Sequence, residues 1–330
     1  MNISQLIFAL YLVATSTITF AAEGTIEISK NIAVSAGKAL SSKKFSLINS
    51  MADKMRESKE RLPDGRWKLP FVTNSLVADL KGKDDKAWAK RLALFDKWIA
   101  QTPKNSTPYL AKAEALVAYA WEARGDGWAD SVKEQDWMLF RKRLSEARKV
   151  LEDSAATSKN SSVWFEIMQT IALGESWPVE EYSKLFNESV SREPTYYFHY
   201  FHAATYFLPR WHGSADKLTQ FIDNAVNNTQ AKEGQTLYTR IYWSLLWALK
   251  DKTFSPGYAN WPRMKEGFVD ILKSYPDNWN LNAFSYYACM AKDWATVNET
   301  IPKLSSVELN IWEDVSNFQL CVSQAEKVEH

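Results

Sequence analysis

The run of residue types best suited to chemistry is Arg210-Trp211-His212-Gly213-Ser214, which follows Leu208-Pro209. Arg210 could hold an anion and Trp211 could stack on a flat ligand. A helix starting after Ser214 could add backbone N–H donors. The same residues also make a structural junction. Pro209 ends one helix, Gly213 turns the chain, Ser214 caps the next helix with Asp216 in its first turn, and Trp211 plugs the core. A second run, Arg124-Gly125-Asp126-Gly127-Trp128, puts both charges and an aromatic ring on a flexible turn. It can share a pocket with Arg210, because both runs follow an Ala- and aromatic-rich helix. It reads equally as a helix C-cap at Gly125 with a local Arg124–Asp126 pair. Arg124, Asp126, Trp128, Arg210, Trp211 and His212 are therefore the candidate partner-binding residues. The Arg-Gly-Asp tripeptide alone is too short to imply integrin binding.

Other chemistries find less support. His199 and His202 lie three apart on one helix face, but no adjacent Glu completes a zinc-protease motif, so no metal site is expected. No Gly-x-Ser-x-Gly elbow, Walker loop or dinucleotide fingerprint is present, so neither a catalytic residue nor a cofactor is assigned. Glu180-Glu181 and Asp84-Asp85 fall at predicted helix starts, where solvated negative charge favours the helix dipole. Cys289 and Cys321 lie 32 residues apart, each in a helical pattern. If their helices run parallel as next-nearest neighbours, the thiols stand at similar heights. A bond would then stabilise the C-terminal end by roughly 3–4 kcal/mol. The alternative is two buried free thiols.

With 46% hydrophobic and 24% charged residues over 330 positions, the composition is that of a globular chain with a full core. A net charge of +1 lacks the one-sign field that nucleic-acid binding needs. The 15 Trp residues fit gap-filling between packed helices, or else a stacking cleft for sugars or peptides.

The first residues read as an address. Leu6 to Phe20 carries no charge, and Thr19-Phe20-Ala21 places small residues for cleavage after Ala21, although residues 1–5 lack Lys and Arg. A signal peptide over 1–21 predicts a periplasmic or secreted protein. No Cys follows the cleavage point and no later segment reaches the roughly 20 apolar residues of a span, so no stable membrane anchor is expected.

Residues 22–83 read as a loose arm over 22–42, a first helix through Phe45, Ile48, Met51 and Met55, and an extended connector containing Pro63, Gly65 and Pro70. From 84 to 330 the pattern is helical, without sustained β alternation. Ser131 with Glu134 reads as a capping box, and Pro108 as a first-turn proline. Three stretches share one plan: an amphipathic helix, a proline break, then an Ala- and aromatic-rich helix. Their breaks are Pro103, Pro194 and Pro276, spaced 91 and 82 residues apart, so the period is not fixed. Ala113, Ala120, Ala203, Ala204, Ala283 and Ala288 would allow close helix approach. The expected fold is all-α: a tetratricopeptide-like, α-solenoid-like array of antiparallel helical pairs.

Several stretches add a family resemblance. They are Ala120-Trp121-Glu122-Ala123-Arg124-Gly125, Leu208 to Ser214, Gly234 with Tyr238, Arg240 and Ile241, Trp261 with Met264-Lys265-Glu266-Gly267-Phe268, and Tyr275-Pro276-Asp277 with Asn282, Phe284 and Cys289. Together they span about residues 90–300, and the chain resembles the domain of unknown function 4034 family, a tetratricopeptide-like group found mainly in bacteria. His212 departs from it, since a small residue is expected before Gly213-Ser214. The resemblance implies helical architecture and no known activity.

The expected function is a non-catalytic exported module whose concave face binds a protein or peptide partner. The alternative is a carbohydrate-binding or hydrolytic helical protein that uses a Trp, Arg and carboxylate cleft. The sequence leaves oligomeric state open.

Overall fold

The computed structural model describes residues 24–125 and 127–327. The predicted signal peptide and Asp126 lie outside the described residues. Within them the chain is all-helical. In order, the helices are α1 (Thr25–Ser41), α2 (Phe45–Ser58), α3 (Leu69–Ser75), α4 (Asp85–Gln101), α5 (Thr107–Arg124), α6 (Glu134–Asp153), α7 (Ala155–Ser158), α8 (Ser162–Gly174) and α9 (Val179–Arg192). They continue with α10 (Tyr197–Tyr206), α11 (Ala215–Glu233), α12 (Thr236–Ser244), α13 (Leu246–Leu249), α14 (Trp261–Ser274), α15 (Asn278–Met290), α16 (Trp294–Thr300), α17 (Leu309–Trp312) and α18 (Val315–Glu326). No described helix is long and apolar enough to cross a membrane.

The expected proline breaks separate α4 from α5, α9 from α10, and α14 from α15. Neighbours in sequence pack as neighbours in space, and a second set of contacts runs α5 to α8 to α10 to α12. The alanines named above explain the close packing: all six are fully buried. Large rings fill the space between, as where Tyr182 stacks on Tyr206 at 3.8 Å and Phe45 on Trp98 at 5.3 Å. One contiguous hydrophobic core runs from Ile32 to Ala325, so the described residues on either side of position 84 share it.

Local capping follows the sequence at several starts. Ser214 Oγ accepts the Lys217 N–H at 3.2 Å, Asp84 caps α4, and Pro108 sits in the first turn of α5. The predicted capping box is not formed. Lys133 precedes the first residue of α6, and Ser131 Oγ instead donates to the Trp128 carbonyl at 2.7 Å within a 3-10 turn. The helix starts two residues later than the box requires, so Ser131 is not its N-cap.

The N-terminal region departs further from expectation. Residues 22–42 are not a loose arm, because Thr25–Ser41 is a helix. Ile32, Ala36, Ala39 and Leu40 share one face and are buried, and α1 packs against α2, α3 and α15. Small side chains weaken the hydrophobic pattern, yet they permit this close docking. The connector is also more ordered than an extended strand. Leu62 N–H donates to the Arg66 carbonyl at 2.7 Å, and Lys68 N–H donates to the Glu60 carbonyl at 2.9 Å. Together they close a small hairpin over Pro63-Asp64-Gly65, after which Pro70 opens α3. Gly65 has φ +95°, and a Cβ there would lie 2.7 Å from the Tyr275 ring. Both its left-handed conformation and this close approach require glycine.

Candidate functional site

Four of the six sequence-predicted residues meet at one place. Arg124 ends α5 and is buried, with Nη1 donating to the carbonyls of Gly125 at 3.1 Å and Gly127 at 2.6 Å. Gly125 ends the helix at φ +67° with its N–H on the Trp121 carbonyl, as a C-cap should. The Arg124 guanidinium lies 5.7–5.8 Å from the rings of Trp121, Trp137 and Trp211. Trp121 and Trp211 meet edge-on at 5.7 Å, and Phe140 packs edge-on against Trp121 and Trp137. Arg124 and Trp211 thus belong to a packed aromatic nest that fixes the two loops together.

Arg210 projects from that nest. Its guanidinium lies 5.4 Å from the ring of Trp128, 5.3 Å from Trp247 and 5.9 Å from Trp211. Trp128 is 71% exposed and Trp247 51% exposed, unlike the other thirteen tryptophans, which are buried or half-buried. No ion pair engages Arg210 among the described residues. The result is a cation held between two solvent-facing indoles, its guanidinium engaged by no hydrogen bond or ion pair among the described residues.

His212 does not join this group. Its ring stacks on Tyr206 at 4.6 Å, and Nε2 lies 3.4 Å from the Leu173 carbonyl oxygen. Gly213 follows because a Cβ there would overlap the Phe207 carbonyl. Trp247 escaped the sequence reading, because the break at Leu245 puts it on α13, apart from Trp243 of α12.

A second arginine–aromatic cluster lies where the connector meets α10, α12 and α15. Asp64 is fully buried and pairs with Arg66 Nε at 2.5 Å. Its carbonyl accepts from Arg240 Nη2, and from Asn280 Nδ2 at 3.2 Å. Arg61 donates to the carbonyls of Gly65 at 2.7 Å and Thr195 at 3.1 Å. Arg61 and Arg240 also lie over the Tyr197 ring at 5.0 and 4.7 Å. The connector is therefore tied to the start of α10, to α12 and to α15.

The third polar group is interior. Tyr196 donates to Glu166 Oε2 at 2.5 Å, and His202 Nε2 lies 3.6 Å from Glu166 Oε1. Burial, reinforced by the charge of Glu166, pushes the Glu114 carboxyl up to about 8. Burial, with the His202 charge adding, pushes His199 down to about 3. His199 is fully buried against Phe165 and Tyr196 and contacts no hydrogen-bond partner among the described residues. No group of three or more His, Cys, Asp or Glu able to hold a metal occurs among the described residues.

Cys289 on α15 and Cys321 on α18 are joined in a disulfide, with Cα atoms 5.9 Å apart.

Fold and site together define an all-helical protein with one exposed and one buried arginine–aromatic cluster. No family model, curated protein or solved structure matches the chain.

Proposed function

We propose that the chain is an exported, non-catalytic helical-repeat protein that binds a protein partner through the Trp128–Arg210–Trp247 surface. One observation carries this reading: the two most exposed indoles of the chain flank an arginine engaged by no ion pair among the described residues. Trp and Arg supply a large share of binding energy at protein interfaces, because flat rings exclude water around a directional cation. The surface suits an acidic segment with neighbouring apolar side chains. The carboxylate would pair with Arg210, and the apolar groups would lie on the indoles. The nest around Arg124 ties α5 to the Trp211 turn beneath it, which lowers the ordering cost of association.

The tetratricopeptide-like arrangement of antiparallel pairs, and with it the likeness to the domain of unknown function 4034 family, belongs to this proposal. It is supported by the sequential packing of short-linked helices and by the proline breaks between α4 and α5, α9 and α10, and α14 and α15. Export rests on the apolar N-terminal stretch and fits a disulfide-permissive compartment.

The test is crosslinking in the native envelope fraction, comparing the unaltered protein with an Arg210→Ala/Trp247→Ala variant of the same thermal stability. A specific partner lost at least tenfold in the variant supports the surface. Identical recovery with both proteins sinks it. Recovery of the protein only from the cytoplasmic fraction sinks export.

A further inference from the structure

The buried arginine cluster borders a cleft of about 210 Å³ that differs from the exposed surface in both location and chemistry. Phe198 and Phe201 of α10, Trp243 and Ser244 of α12, and Trp279 of α15 form its walls, while Arg66 of the connector and Arg240 of α12 stand at its polar side. The rings are already arranged as a slot. Trp243 and Trp279 are nearly parallel, with centroids 6.5 Å apart, and Phe198 meets Phe201 edge-on at 5.7 Å. All four rings are only half-buried, so the slot opens to solvent.

Its polar end gathers three arginines about two carboxylates, Asp64 and the Glu233 that accepts from the Tyr197 hydroxyl at 2.6 Å. Neither Arg61 nor Arg240 forms an ion pair among the described residues. Arg61, Arg66 and Arg240 gather around Asp64, and Asp64 forms its ion pair with Arg66. Arg240 is 3% exposed, yet among the described residues Nη2 is satisfied only by a backbone carbonyl and Nε has no hydrogen-bond partner. A buried guanidinium without a carboxylate is costly, and an incoming anion would relieve that cost. Arginine's planar fork matches a carboxylate in particular.

We propose that this cleft binds a small carboxylate bearing one aromatic ring. A cavity of about 150 Å³ accepts benzene, so a cleft of about 210 Å³ has room for one ring and a short acid arm. The ring would lie against Trp243, Trp279 and the two phenylalanines, and the carboxylate would face Arg66 and Arg240. Ser244 Oγ already donates to the Ile241 carbonyl at 2.7 Å, so that wall asks little of the ligand.

Isothermal titration of the purified protein with 3-phenylpropionate, 3-phenylpropanamide and acetate tests this. The acid should bind saturably at one site, with the amide and acetate each at least tenfold weaker. Ser244→Phe should fill the slot and abolish binding, whereas Trp128→Ala should leave it unchanged. If Ser244→Phe misfolds by circular dichroism, Arg66→Gln serves instead and should weaken the acid at least tenfold without altering the response to the amide. The proposal is overturned if the acid does not bind, if amide or acetate matches it, or if a folded blocking variant binds as well as the parent.

Discussion

Arg210 and Arg240 share a side chain and a preference for aromatic company, but their surroundings set them to opposite tasks. Arg210 lies between two exposed indoles, and no ion pair engages it among the described residues. Arg240 is buried, lies over Tyr197 and reaches back to a carbonyl 176 residues earlier in the chain. The exposed arginine keeps its hydration and is available to a partner at little cost to folding. The buried one holds the connector against α12 and α15, so folding depends on it. A cation–aromatic contact therefore carries no functional meaning until burial is known. Desolvation of the cation, far more than the ring contact, sets what removing it costs.

The sharpest way to break this contrast is to truncate both arginines. Arg240→Ala should lower unfolding free energy by about 2–4 kcal/mol in urea titration, because it removes one of two donors from the Asp64 carbonyl and opens space beside Tyr197. A loss below about 1 kcal/mol would mean that the connector is held without it. The disulfide clamps α15, the helix that carries Asn280 onto Asp64. Cys289→Ser with Cys321→Ser should cost about 3–4 kcal/mol, read in the same titration, for a closed loop of this length.

The buried acid and imidazole give the next effect, through opposed pH dependences. Glu114 keeps its proton in the native state up to about pH 8, whereas the unfolded chain releases it near 4.5. Its contribution is therefore full below pH 4.5 and is lost as pH rises through about 8. His199 is shifted down from 6.5 to about 3, so its contribution is full above pH 6.5 and is lost as pH falls toward 3. Of these two groups, only Glu114 acts between pH 6.5 and 8. Thermal or urea unfolding should show stability declining there by about 2 kcal/mol in total, and Glu114→Gln should flatten the decline.

The smallest expected effect is the most informative for function. Arg210→Ala should change stability by less than about 0.5 kcal/mol, because an exposed side chain loses few contacts. A cost comparable to that of Arg240→Ala would move Arg210 from the binding surface into the scaffold.

Much of the candidate surface was legible before the fold. Arg124, Trp128, Arg210 and Trp211 stood out because each lies at or just past a helix end marked by Gly or Pro, and the structure brings these four together. His212 drew notice as part of the same loop and as its departure from the family pattern, but packing against Tyr206 absorbed it. The buried cluster was not legible. Arg61 meets Thr195 across 134 residues and Asn280 meets Asp64 across 216, and no local pattern records such pairs. Helix α1 was missed for a related reason, since Ala36 and Ala39 contribute little hydrophobic signal until α3 and α15 are packed beside them.

What the order of residues dictated is what depends on near neighbours in the chain. Helical periodicity, the proline breaks, the Ser214 cap and the Gly125 stop all arise from backbone and side-chain preferences within a few residues. Packing alone assigned one arginine to solvent and another to the interior, folded the connector over α12 and α15, and opened a cleft between distant aromatic rings. Burial is a property of the assembled surface, and the residues that remove water from Arg240 come from the far ends of the chain.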